Sequence, residues 1–112
     1  MVTITTKHNL DEMVLCIETK GHAGYDKPGR DIVCASVSIL MYTLAQVVKD
    51  MHDAGNLCEC AIMFSDGDAC IKCRCRDRYA FNEALQNYSV IEVGCSLLAH
   101  NYPQYVSLED LT

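Results

Sequence analysis

Eleven residues, "AGYDKPGRDIV", separate His22 from Cys34. A histidine and a cysteine are the side chains from which a thiol nucleophile and its proton acceptor are built. Asp31 has the chemistry of a helix cap, and apolar residues recur at helical spacing from Ile32 onward. Cys34 therefore falls in the first turn of a predicted helix. Unpaired N–H groups and the helix dipole favour a negative sulfur there, and the same N–H groups can hold an oxyanion. The Asp31 carboxylate works partly against that effect. A loop of this length readily brings its two ends together. An ordinary reading stands beside the catalytic one: a histidine near a strand end that sits in a loop, and a cysteine early in a helix that belongs to the core. Spacing alone leaves both open. His8, His52 and His100 fall in a turn or near helix ends and are weaker candidates for the base.

Other chemistries fit less well. "GYDKPGRD" approaches the phosphate-loop spacing G-x₄-G-K-[ST], but Arg30 replaces the lysine and Asp31 the hydroxyl residue. Asp31 would place a carboxylate where phosphate must sit. A cysteine phosphatase needs its anion-binding loop after the cysteine, and here the chain continues as "ASVSIL". Cys58, Cys60, Cys73 and Cys75 are expected to share one face of a hairpin, a rectangle of thiols. Their C-x-C spacing on flat strands sets them about 6.5–7 Å apart along each strand, whereas thiolates on one zinc lie about 4 Å apart. Ile62, Phe64 and Ile71 share that face, so it reads as hydrophobic core. No metal and no cofactor is expected.

The elements that must position His22 and Cys34 are read from periodicity. "VTITTK" alternates as a half-buried strand, "HNLDE" turns, and "MVLCIETK" is a second strand. "KPGR" suits a type II turn with Gly29 at the position of positive φ. Val33, Val37, Leu40, Met41, Leu44, Val47, Val48 and Met51 mark a helix over about 32–54, ended by Gly55-Asn56. Asp66-Gly67 predicts a tight hairpin that pairs Phe64 with Ala69, Ile62 with Ile71, Cys60 with Cys73 and Cys58 with Cys75. Residues 76–101 read as a second helix with Phe81, Leu85, Tyr88, Ile91, Cys95 and Leu98 in its stripe. Gly94 weakens that helix unless another backbone packs close to it. Pro103 stops the helix, and the tail "QYVSLEDLT" is extended and docks as a short edge. The expected fold is α+β in two layers: a four-stranded antiparallel sheet with both helices on one face.

The totals set the class. The 112 residues suggest a single domain, 1–112, with one modest core. Net charge is −6, which disfavours direct nucleic-acid binding and suits a basic protein or peptide partner. Uninterrupted apolar runs are too short to suggest a membrane span. The N-terminus "MVTITTKHNLDEM" lacks the pattern of a secretory signal, so the eight cysteines read as reduced thiols of a cytoplasmic protein.

The stretch "GHAGYDKPGRDIVCASVSIL" resembles the signature of the ribosomal-processing cysteine proteases of the Prp family: Gly-His-Ala, a glycine-bearing loop, then Asp-Ile-Val-Cys-Ala and a nearby serine. "YPQYVSL" resembles that family's Tyr-Pro-x-Tyr-Val ending, and the two hairpin-helix units follow its order. The resemblance implies a homodimeric cysteine endopeptidase that removes the N-terminal extension of large-subunit ribosomal protein twenty-seven. It implies Cys34 as nucleophile and His22 as general base and then acid. Asp31 and Ser38 match family positions in a supporting capacity. Residues 23–30 would be a flap over an extended peptide, with Gly21, Ala23, Gly24 and Gly29 in the flap and substrate-binding segment. The alternative from another class is a non-catalytic module that binds a ribosomal or phage protein through the same groove.

Overall fold

The computed structural model describes residues 1–112. β1 (Val2–Asn9) and β2 (Val14–Lys20) form an antiparallel hairpin that leads through a loop to α1 (Ile32–Asp53). β3 (Leu57–Ser65) and β4 (Asp68–Cys75) form a second hairpin, followed by α2 (Arg78–Asn101) and β5 (Val106–Asp110).

The α+β class stands, but the four-stranded antiparallel sheet does not. The sheet has five strands in the order β3-β4-β2-β1-β5. β5 runs parallel to β1, with Val2 opposite Val106 and Ile4 opposite Leu108, so the sheet is mixed. The tail docks at the edge, as its composition suggests. Its direction is decided by α2, which carries the chain from β4 past β2 and β1 and returns it in the direction of β4, the direction of β1. β5 also covers the backbone edge that β1 would otherwise expose.

Strand alternation sends Ile4, Leu15, Ile17, Ile71 and Cys73 to one face, each fully buried. α1 packs over β3 and β4 on that face, and α2 over β2, β4 and β5. Burying an Ile or Leu side chain fully contributes about 1.5–3 kcal/mol, so this one face supplies much of the driving force. Tyr88 is also fully buried, and its hydroxyl donates to the Ile71 carbonyl at 3.1 Å. By length and composition α1 could cross a membrane, a point the uninterrupted-run criterion passes over. In this fold its Val33, Val37, Met41, Leu44, Val48 and Met51 stripe is core instead.

Both ends of α1 form as their residues dictate. Asp31 accepts from the Val33 and Cys34 N–H groups at 3.0 and 2.9 Å. At the other end the Gly55 N–H meets the His52 carbonyl and the Asn56 N–H meets the Met51 carbonyl, a Schellman closure. Gly94 marks the close approach of the two helices. A Cβ there would lie 2.8 Å from a Leu40 methyl, so the intruding group is a side chain rather than the expected backbone.

The predicted β3–β4 register holds for Phe64, Ile62 and Cys60. It fails at Cys58, because an irregularity between Leu57 and Glu59 puts Leu57 opposite Cys75. Cys58 is thereby exposed, while Cys73 and Cys75 are buried and Cys60 half-buried. The thiol rectangle does not form.

Candidate active site

The segment leaving β2 and the turn joining β3 to β4 lie side by side because of the β2–β4 pairing. Lys20, the last residue of β2, sits opposite Asp68, the first of β4. Gly21 and His22 therefore run past Gly67 and Asp66. The Gly21 N–H donates to Asp68 Oδ1 at 3.4 Å. Gly21 has φ +92°, and a Cβ on it would lie 2.6 Å from the Met1 carbonyl oxygen, so no other residue fits comfortably.

The loop between His22 and Cys34 is tethered more than a free flap would be. Ala23 is buried and donates its N–H to Cys34 Sγ at 3.3 Å. The Tyr25 ring meets Tyr102 and Tyr105 edge-on, at centroid distances of 5.7 and 5.2 Å. Asp31 Oδ2 accepts from the Tyr25 and Asp26 N–H groups at 3.0 and 3.4 Å. The tip folds as expected, with the Arg30 N–H on the Lys27 carbonyl at 2.9 Å and Gly29 at φ +87°.

Two adjoining clefts of about 450 and 780 Å³ meet at one line of residues: His22, Cys34, Ser38 and Asp66 border both. The smaller cleft is walled by Val37, Met41, Tyr42 and Phe64, with Gly21 at its rim. The larger is lined by Asp26, Arg30 and Asp31, together with Gly24 and Gly29. An extended chain lying along both would cross the half-buried thiol of Cys34. Ala23 lines neither cleft and meets the site through its N–H alone. Ser38 stands one turn beyond Cys34. The nearby serine that bonds back into the helix is Ser36, to the Ile32 carbonyl, and Ser38 is exposed at the clefts.

One expectation about the helix start changes. The N–H groups of Val33, Cys34 and Ala35 are all occupied by Asp31, the first two by its carboxylate and the third by its carbonyl. They are not open for an oxyanion. The Ala23 N–H is the backbone donor aimed at the sulfur. Asp31 is thus a cap and a tether at once. Burial works to raise its carboxyl, but the N–H groups of Cys34, Asp26 and Tyr25 outweigh it and hold the group below the usual carboxylate range.

The other cysteines are set apart by environment. Burial, then the neighbouring Cys70, pushes the Cys16 thiol up to about 12, and burial takes Cys95 to about 12. Cys73 is lowered by a hydrogen bond with Cys75 but has no exposed surface. Cys58 is exposed, whereas Cys34, like Cys16, Cys60 and Cys70, is half-buried.

In the sequence Asp66-Gly67 signals only a turn, and no motif marks Tyr42 and Phe64 as cleft residues. His22 Nε2 lies 3.6 Å from Asp66 Oδ1. Tyr42 and Phe64 pack ring on ring at 4.8 Å. Nothing local signals either contact, since each joins separate elements.

The family model for the cysteine protease Prp matches residues 1–107. Among solved structures, the chain is similar to the essential ribosomal processing protease Prp from S. aureus with a covalently linked product peptide. That likeness has a TM-score of 0.76 at 21% identity and covers 98% of this chain and 99% of that one. The same protease with a substrate peptide gives a TM-score of 0.68 at 21% identity, covering 98% and 99%. SMU.848 from Streptococcus mutans gives 0.70 at 25% identity, covering 100% and 95%. No match was found among curated proteins.

Proposed function

The chain belongs to the Prp family of cysteine proteases, and from that premise we propose that it removes the N-terminal extension of large-subunit ribosomal protein twenty-seven, using Cys34 and His22. The observation that carries this reading is the convergence of both clefts on those two residues. A peptide in extended form has room on either side of the sulfur, as an endopeptidase requires.

In this mechanism His22 accepts the Cys34 proton as the sulfur bonds to the scissile carbonyl carbon. The Ala23 N–H, already donating to Cys34 Sγ, stabilises the thiolate as it forms, and attack on the carbonyl gives a tetrahedral oxyanion. Its collapse breaks the C–N bond, and His22 passes the proton to the leaving amine. Water then attacks the thioester, giving its proton to His22, and the thiol is regenerated. Asp31 keeps Cys34 in the first helical turn and keeps the loop over it. Asp26, Asp31, Asp66 and Asp68 around the clefts favour a basic chain. A cytoplasmic homodimer is part of the same proposal, and sedimentation equilibrium tests the dimer.

The test uses a peptide spanning the junction between the extension and the mature ribosomal protein. Wild type is expected to cleave it, with Cys34→Ala inactive and His22→Ala reduced by at least about a hundredfold. Iodoacetamide is expected to label Cys34 ahead of Cys58, while Cys95 stays unlabelled in the folded protein. Binding of the peptide without turnover, or undiminished cleavage by Cys34→Ala, overturns the reading.

A further inference from the structure

We propose that the β3–β4 turn is a working part of the catalytic centre, with Asp66 positioning the His22 imidazole and Gly67 forming the seat under its ring. The proposal rests on the Cys34/His22 reading above and adds the third group to it.

Two separate contacts place the turn against the histidine. Asp66 Oδ1 lies 3.6 Å from His22 Nε2. A Cβ built on Gly67 would fall 2.8 Å from the same nitrogen and 3.3 Å from Cδ2 and Cε1. The ring thus rests against bare backbone, and any side chain at that position would push it away. The β2–β4 register fixes this neighbourhood, and the hydrogen bond from the Gly21 N–H to Asp68 holds the backbone beside His22 to the same turn.

The contact matters most during the reaction. In the free protein the His22 and Asp66 side chains are 64% and 96% exposed, so water screens their attraction. Asp66 borders both clefts, so a bound peptide displaces that water. The lower local dielectric then strengthens the contact as His22 takes the thiol proton and becomes cationic. With Nε2 on the Asp66 side, Nδ1 is the nitrogen left to accept the proton from Cys34. The carboxylate stays ionised and accepts no proton itself. An interaction that grows in the transition state shows in kcat rather than in KM.

Steady-state kinetics on the junction peptide test this with Asp66→Ala, Asp66→Glu, Gly67→Asn and His22→Ala. Asp66→Ala is expected to lower kcat about tenfold with KM within about twofold, and Asp66→Glu to restore most of it. Gly67 has φ +80°, which asparagine adopts at the least cost among side-chain-bearing residues, so Gly67→Asn reads chiefly the clash with the ring. It is expected to cost about 10- to 100-fold in kcat through displacement of the imidazole. Wild-type kcat in Asp66→Ala and Gly67→Asn, with His22→Ala inactive, overturns this inference and leaves the dyad standing. Wild-type kcat in His22→Ala overturns the dyad itself.

Discussion

Four backbone N–H groups converge on the Asp31 carboxylate: Val33 and Cys34 from α1, Tyr25 and Asp26 from the loop. Its folded-state pKa is held below the ordinary value. The unfolded chain then binds the proton more readily, and the stability Asp31 supplies is present above the ordinary carboxylate range. It is lost as pH falls through the depressed folded value. Asp31→Ala is expected to destabilise by about 1–2 kcal/mol at neutral pH, as loss of a helix cap does. Urea melts at neutral pH and at pH ~3 check both statements, because the gap between variant and wild type should narrow in acid. The cap was legible in the sequence, since it spans three residues. The second pair of donors was not, because it depends on how the loop folds back.

At the scale of elements, the loop is held by the far end of the chain. Tyr25 sits against Tyr102 and Tyr105, which border β5, and β5 is itself paired to β1. Tyr25→Ala removes two edge-on aromatic contacts worth about 0.5–1.5 kcal/mol each. Loosening of the loop that carries the Ala23 N–H is the expected result. Cleavage of the junction peptide should fall about tenfold in kcat/KM, and the melting temperature by roughly 4–13 °C for the ~1–3 kcal/mol lost. Both helices were legible because a buried stripe repeats every three or four residues. The hairpin turn was legible in Asp66-Gly67. The irregularity that exposes Cys58 was not, since alternation assumes an unbroken ladder.

For the molecule as a whole, the net charge of −6 and the carboxylates around the clefts form one field. A basic peptide is drawn toward it, and salt screens that attraction. Raising ionic strength from ~50 mM to ~500 mM is expected to lower kcat/KM several-fold while kcat holds nearly constant. A kinetic series in sodium chloride on the junction peptide measures it. The helices, the turns, the cap on α1 and the residues resembling a cysteine protease signature can be read directly from the chain. All of these rest on contacts within a few residues or on the residue types themselves. Tertiary structure alone decided the parallel edge strand, the Tyr25 contacts and the turn that brings Asp66 and Gly67 to His22. Each of these joins residues distant in the chain, and their meeting is set by strand register and by where a helix returns the chain.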